Sequence, residues 1–150
     1  YEFGGHIPGA VHSRYSWGNS QQGCLGHGDD WHVTSPTLVA GLTNVVYVSC
    51  GEACSAAITS SGQLHTWGRA ALGRLGHGDR ENQNRPRLVV TLCGVIIVQV
   101  ACARGASDPH TLALSDTGDV FSFGDRLVGL AVFFFFFFFW GGGGGGIGKK

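Results

Sequence analysis

Five cysteines and seven histidines are the residues of this 150-residue chain best suited to chemistry. Cys50 and Cys54 stand four apart, and His27, His65, His77 or His110 could in principle join them around a metal ion. Structural zinc asks for a short-spaced ligand pair in each half of the site, and one loose pair is present here. The expected state is therefore small buried thiols and histidines in turns, with no metal. Ser107, Asp108 and His110 have the side chains of a hydrolase, but they sit in one local run, without a G-x-S-x-G elbow or a second feature to mark an oxyanion hole. Gly143, Gly148 and Lys149 spell the front of a phosphate-cradling loop, yet Lys150 stands where Ser or Thr should hold magnesium, and a six-glycine run beside a lysine imitates that pattern anywhere. Glu52, Asp79, Glu81, Asp108, Asp116 and Asp119 fall on turns and loop tips, where solvated charge is the ordinary reason for them. The reading is no catalytic residue, no cofactor and no metal.

Among the segments that carry these side chains, two stretches read "WGNSQQGCLGHGD" from Trp17 and "WGRAALGRLGHGD" from Trp67. Trp17 and Trp67, Gly26 and Gly76, Asp29 and Asp79, and Pro36 and Pro86 are each 50 positions apart. Self-similarity at a period of roughly 20 to 50 residues marks stacked units that cannot bury their apolar faces alone. "RYSWG" ending at Gly18, "LHTWG" ending at Gly68 and "VFSFG" ending at Gly124 alternate like strands and close on an aromatic and a glycine. "ACSAAITS" and "PHTLALSD" precede the last two across Gly-containing turns, as hairpin partners. "NVVYVSCG" and "GVIIVQVACA" look like buried strands, and "SPTLVAGL" and "RPRLVVTL" like strands that begin at a proline. Four short strands per unit without helical periodicity give an all-β fold, a β-propeller fragment with two nearly complete four-stranded blades and part of a third. In "LGHGD" the glycines Gly26, Gly28, Gly76 and Gly78 permit close turns, and Asp29 or Asp79 can accept from the backbone two residues on. Trp17, Trp67 and Phe123 are expected to fill space against a neighbouring blade. The repeat signature is thus Trp17, Gly18, Leu25, Gly26, His27 and Gly28, then Trp67, Gly68, Leu75, Gly76, His77 and Gly78, then Phe123 and Gly124.

Ten basic residues balance ten acidic ones, so the electrostatic footprint of a nucleic-acid binder is missing and direct nucleic-acid binding is not expected. The odd cysteine count, without disulfide-type spacing or a secretory signal, points to a reducing compartment: the cytoplasm, with the nucleus as the alternative. There is no methionine, and the chain is read as a piece of a longer protein. Residues 133–146 are seven Phe, one Trp and six Gly. A T homopolymer encodes Phe, a G homopolymer Gly and their junction Trp, so the low-complexity tail 126–150 is read as translated non-coding sequence. Its apolar run 127–140 is short of the about 20 residues a bilayer-crossing helix needs, and no membrane association is expected. Residues 1–16 are read as the degraded edge of a preceding blade, and 17–125 as repeats with a period of about 50.

Strand, Cys-Gly, hairpin, aromatic-Gly, "LGHGD" and Pro at this period resemble the repeats of the regulator of chromosome condensation family, whose members are seven-bladed propellers. The wording "GRLGHGD" and "HTLALSDTGDVFSFGD" most resembles the propellers of giant HECT-type ubiquitin ligases. Three departures stand out. Cys54 occupies the place of the histidine usual after Cys-Gly, Ala103 replaces the glycine, and extra residues precede His110. The resemblance implies a non-catalytic protein-interaction module, whose partners are a protein held by the loops and the remaining blades of the parent. A ligase cysteine would belong to a separate module. The alternative implied by the family is nucleotide exchange on a Ran-like small GTPase, and a non-functional gene remnant is the second alternative. The least repeated loops carry the candidate partner contacts: Asn19 and Gln21; Arg80, Glu81, Asn82 and Arg85; and Arg104 and Asp108.

Overall fold

The computed structural model describes residues 14–105 and 109–124. Nine strands make three antiparallel sheets. β1 (Tyr15–Gly18) pairs with β2 (Val33–Leu38). β3 (Val45–Cys50), β4 (Cys54–Thr59), β5 (Leu64–Gly68) and β6 (Gln83–Leu88) form a complete four-stranded meander. β7 (Ile97–Cys102), β8 (His110–Ser115) and β9 (Val120–Gly124) form the third sheet. One full unit flanked by three strands of the next and two of the previous one is the architecture expected from the repeat. Asp108, the tail 126–150 and residues 1–13 lie outside the described residues.

The same local chemistry closes the β4–β5 and β8–β9 hairpins. In the first, the Gly62 N–H donates to the Thr59 carbonyl at 2.9 Å, and the Gln63 N–H reaches Thr59 Oγ1 at 3.2 Å. In the second, Gly118 donates to Ser115 at 3.1 Å and the Asp119 N–H reaches Ser115 Oγ at 3.0 Å. A Ser or Thr at the strand end thus satisfies a turn donor that would otherwise need water.

β4 is buried along its whole length. Its side chains alternate between two cores, as a period of two requires. Ala57 joins Val39, Leu42, Val45 and Trp67 between the first and second sheets. Cys54, Ala56 and Ile58 join Ile97, Val100, Cys102 and Ala113 between the second and third. Small residues along β4 let both neighbours approach.

Two strand expectations are corrected. β3 and β7 are not buried runs: Val46, Tyr47 and Val98 are exposed, because these strands form sheet edges and β4 takes the enclosed place. Pro36 and Pro86 lie inside β2 and β6 rather than at their starts. Both strands are sheet edges, and the register with their partners shifts next to each proline, between Ser16 and Gly18 and between Thr66 and Gly68, so the missing N–H falls in an irregular stretch. Three-residue 3-10 turns at Gln21–Gly23, Ala71–Gly73 and Val90–Leu92 supplement the strands.

Candidate interaction face and the seams beneath it

Part of the repeat signature joins sheet to sheet. Trp67, at the end of β5, reaches across to the loop after β1, where its indole Nε1 donates to the Cys24 carbonyl at 3.0 Å. Gly26 is the residue it packs on: φ is +82°, and a Cβ there would come within 2.8 Å of Nε1. Phe123 repeats the arrangement on Gly76, where a Cβ would fall 3.0 Å from the ring. Trp67 is accordingly 5% exposed, while Trp17, the first copy of the same wedge, is 53% exposed.

Each "LGHG" loop is tied down by a hydroxyl and a histidine. Ser16 Oγ donates to the Leu25 carbonyl at 2.7 Å and lies 3.0 Å from His27 Nε2. Thr66 Oγ1 donates to the Leu75 carbonyl at 2.6 Å and lies 3.0 Å from His77 Nε2. Because the Thr66 proton is already committed to Leu75, Nε2 must be the donor, which fixes the neutral His77 tautomer with a bare Nδ1. Nδ1 is buried without a partner. Burial therefore pushes the His77 pKa below the usual histidine value. His65 is shifted the same way by burial. Asp29 Oδ1 accepts from the Trp31 N–H at 3.2 Å and Asp79 Oδ1 from the Glu81 N–H at 3.1 Å, the Asx turns that the sequence suggests. Asp79 also pairs with Arg87 at 2.9 Å, which holds its carboxyl below the ordinary range.

The antiparallel topology sorts the loops onto two ends. Residues 19–32, 51–53, 69–82 and the segment after β7 share one end: Glu52 N–H donates to the Ala103 carbonyl at 3.3 Å, and Gly28 N–H to Asn84 at 2.8 Å. The hairpin turns and the 89–96 connection share the other, where Ile97 N–H meets Gly62 and Asp116 N–H meets Ile96. Asn19, Gln21, Arg80, Glu81, Asn82 and Arg104 are all exposed at the first end. Two of the candidates also serve the architecture. Asn82 Oδ1 accepts from the Ala70 N–H at 2.9 Å, and the Arg85 guanidinium covers Gly28 of the preceding unit. Asp108 lies outside the described residues.

Two residues at this end escape a reading of loop polarity. Trp31 is 78% exposed and takes the place that Glu81 holds one repeat later, a difference visible only when the copies are aligned. Arg74 is 2% exposed and takes the place of Cys24. Among the described residues no group of three or more His, Cys, Asp or Glu side chains could hold a metal, and no helix is long and apolar enough to cross a membrane.

The family model described as "Regulator of chromosome condensation (RCC1) repeat" matches residues 13–58 and 61–114. The chain belongs to this repeat family. Its sheets are blades of an RCC1-type β-propeller, and the shared wedges are the contacts between blades. It is 44% identical over 117 residues to the human E3 ubiquitin-protein ligase HERC2, an alignment covering 74% of this chain and 2% of that one. It superposes on human WBSCR16 with a TM-score of 0.63 at 30% identity, covering 73% of this chain and 28% of that one. It superposes on Prp20p of Saccharomyces cerevisiae, a protein described with its binding properties to Gsp1p and histones, with a TM-score of 0.62 at 27% identity. That match covers 76% of this chain and 27% of Prp20p. The chain thus spans a small part of each of these RCC1-repeat proteins.

Proposed function

We propose that these repeats are part of a protein-interaction propeller in a large ubiquitin-ligase-like protein, and that they hold a protein partner with the end carrying residues 19–32, 69–82 and 103–105. One observation carries this reading: Asn19, Gln21, Trp31, Arg80, Glu81 and Arg104, which differ from copy to copy, are exposed together at that end, while the repeated Gly26, Trp67, Gly76 and Phe123 make the seams. Exposed aromatic and Arg side chains are the types that dominate binding energy at protein interfaces. Ubiquitin transfer in such a parent falls to a separate module. Five free thiols suit a reducing setting, and the cytoplasm or nucleus is the compartment we propose.

The test is charge reversal at Arg80, Glu81 and Arg104 in the full-length protein that contains the repeats. Loss of the co-purified partner with an unchanged melting temperature is expected, and full retention of the partner would remove the proposal. A second reading, acceleration of nucleotide release from a small GTPase, is favoured by the likeness to Prp20p. An exchange assay separates the two, since a partner-holding module leaves the release rate unchanged.

A further inference from the structure

Arg74 is buried to 2% exposure, and its Nη1 has no hydrogen-bond partner. Its Nε donates to the Ala71 carbonyl at 3.3 Å. A buried guanidinium is costly unless an anion faces it. No carboxylate does so: the one salt bridge among the described residues joins Arg87 and Asp79. Arg74 instead acts through its charge on the sulfur of Cys54, which shares a core cluster with Cys102. Cys54 opens β4 and Cys102 ends β7, so the two thiols meet across the seam between the second and third sheets. Gly51 leaves them room: a Cβ there would fall 2.9 Å from Cys54 Sγ and 3.1 Å from Cys102 Cβ.

We propose that Cys54 and Cys102 are a thiol pair that a hydroperoxide oxidises to a disulfide stapling the two sheets, with Arg74 favouring Cys54 as the attacking sulfur. The neighbouring Cys102, followed by Arg74, pulls Cys54 down to about 7, while Cys54 and burial push Cys102 far up. The first proton to leave the pair is therefore the one on Cys54. The Cys54 thiolate attacks the peroxide, an S–O bond forms as the O–O bond breaks, and the departing oxygen takes a proton to leave as water or alcohol. Cys102 then attacks the Cys54 sulfur, the S–S bond forms as the S–O bond breaks, and its proton leaves with the hydroxide as water. The pair loses two electrons and the peroxide gains them. Cys54 itself is 2% exposed, so a small oxidant must reach it through the seam at Cys102, which keeps 9% exposure. Cys50 and Cys93 are exposed, and although Cys24 lies near Cys50, neither has a buried cation described beside it, so accessibility and activation point to different cysteines.

The test treats the full-length protein that contains the repeats with stoichiometric hydrogen peroxide, alkylates it, cleaves after Arg and Glu, and maps the cysteines of this segment by tandem mass spectrometry. Cleavage after Glu52 separates Cys50 from Cys54. A Cys54–Cys102 crosslink is expected while Cys50 and Cys93 remain alkylated, with its rate falling at least several-fold in Arg74→Gln and largely kept in Arg74→Lys. Oxidation of Cys50 and Cys93 before any Cys54–Cys102 crosslink, or an equal rate in Arg74→Gln, would overturn the proposal. Cys54→Ser should abolish the crosslink and leave Cys102 unoxidised.

Discussion

At the scale of single residues, Trp67 does most to join one sheet to the next. Truncating a buried Trp to Ala costs about 3–5 kcal/mol, a large share of the stability of a small domain. Trp67→Ala is expected to abolish cooperative unfolding, whereas Trp67→Phe, which deletes the bond to the Cys24 carbonyl and keeps most of the packing, should cost about 1 kcal/mol by chemical denaturation. His77 adds a pH dependence. Its folded pKa is lowered, so the stability it supports is complete above the unfolded value and is lost as pH falls through the folded one. The denaturation midpoint should therefore drop on acidification below about pH 6.5, and His77→Gln should flatten that dependence. A midpoint that stays level on acidification through this range would contradict the neutral tautomer with a bare Nδ1. The wedge and the Asx turns are legible in the sequence because a local pattern repeats. Arg74 is not: it is 2% exposed, and a lone arginine in a Gly-rich loop carries no signal of what lies beneath it.

At the scale of elements, the strand order and the hairpins are readable because alternation, Gly turns and a period of 50 residues agree with one another. The exposure of β3 and β7 is not, since an apolar run such as "VVYV" has the same composition in an enclosed strand and at an edge. The prolines mislead for a related reason. Proline is excluded from regular ladders, and only the three-dimensional register shows that β2 and β6 are irregular at that point. The turn glycines offer a graded test of the seams. Gly118 has φ +91° and open space where a Cβ would stand, so Gly118→Ala bears only the left-handed backbone cost of about 1–2 kcal/mol. Gly76→Ala bears that cost and also drives a methyl against Phe123. Gly76→Ala should be clearly the less stable of the two in urea denaturation, and equal midpoints would mean that Phe123 does not seal the seam.

At the scale of the whole molecule, each sheet is completed by its neighbour, and the exposed Trp17, Tyr15 and Leu38 mark the side of the first sheet to which a further unit would add. The candidate contacts Asn19, Gln21, Trp31, Arg80, Glu81 and Arg104 are exposed together at one end. Their placement there is legible only in part: loop polarity picks out Arg80 and Glu81, but it also picks out Asn82 and Arg85, whose side chains are engaged in the architecture. Trp31 is missed altogether by a search for polar loops. The most direct test of the central claim is site-specific photocrosslinking in the full-length protein, with the reactive group placed at Trp31 on one end or at Asp116 on the other. Partner adducts from position 31 and none from position 116 are the expected result; adducts from position 116 alone would contradict the assignment of the binding end.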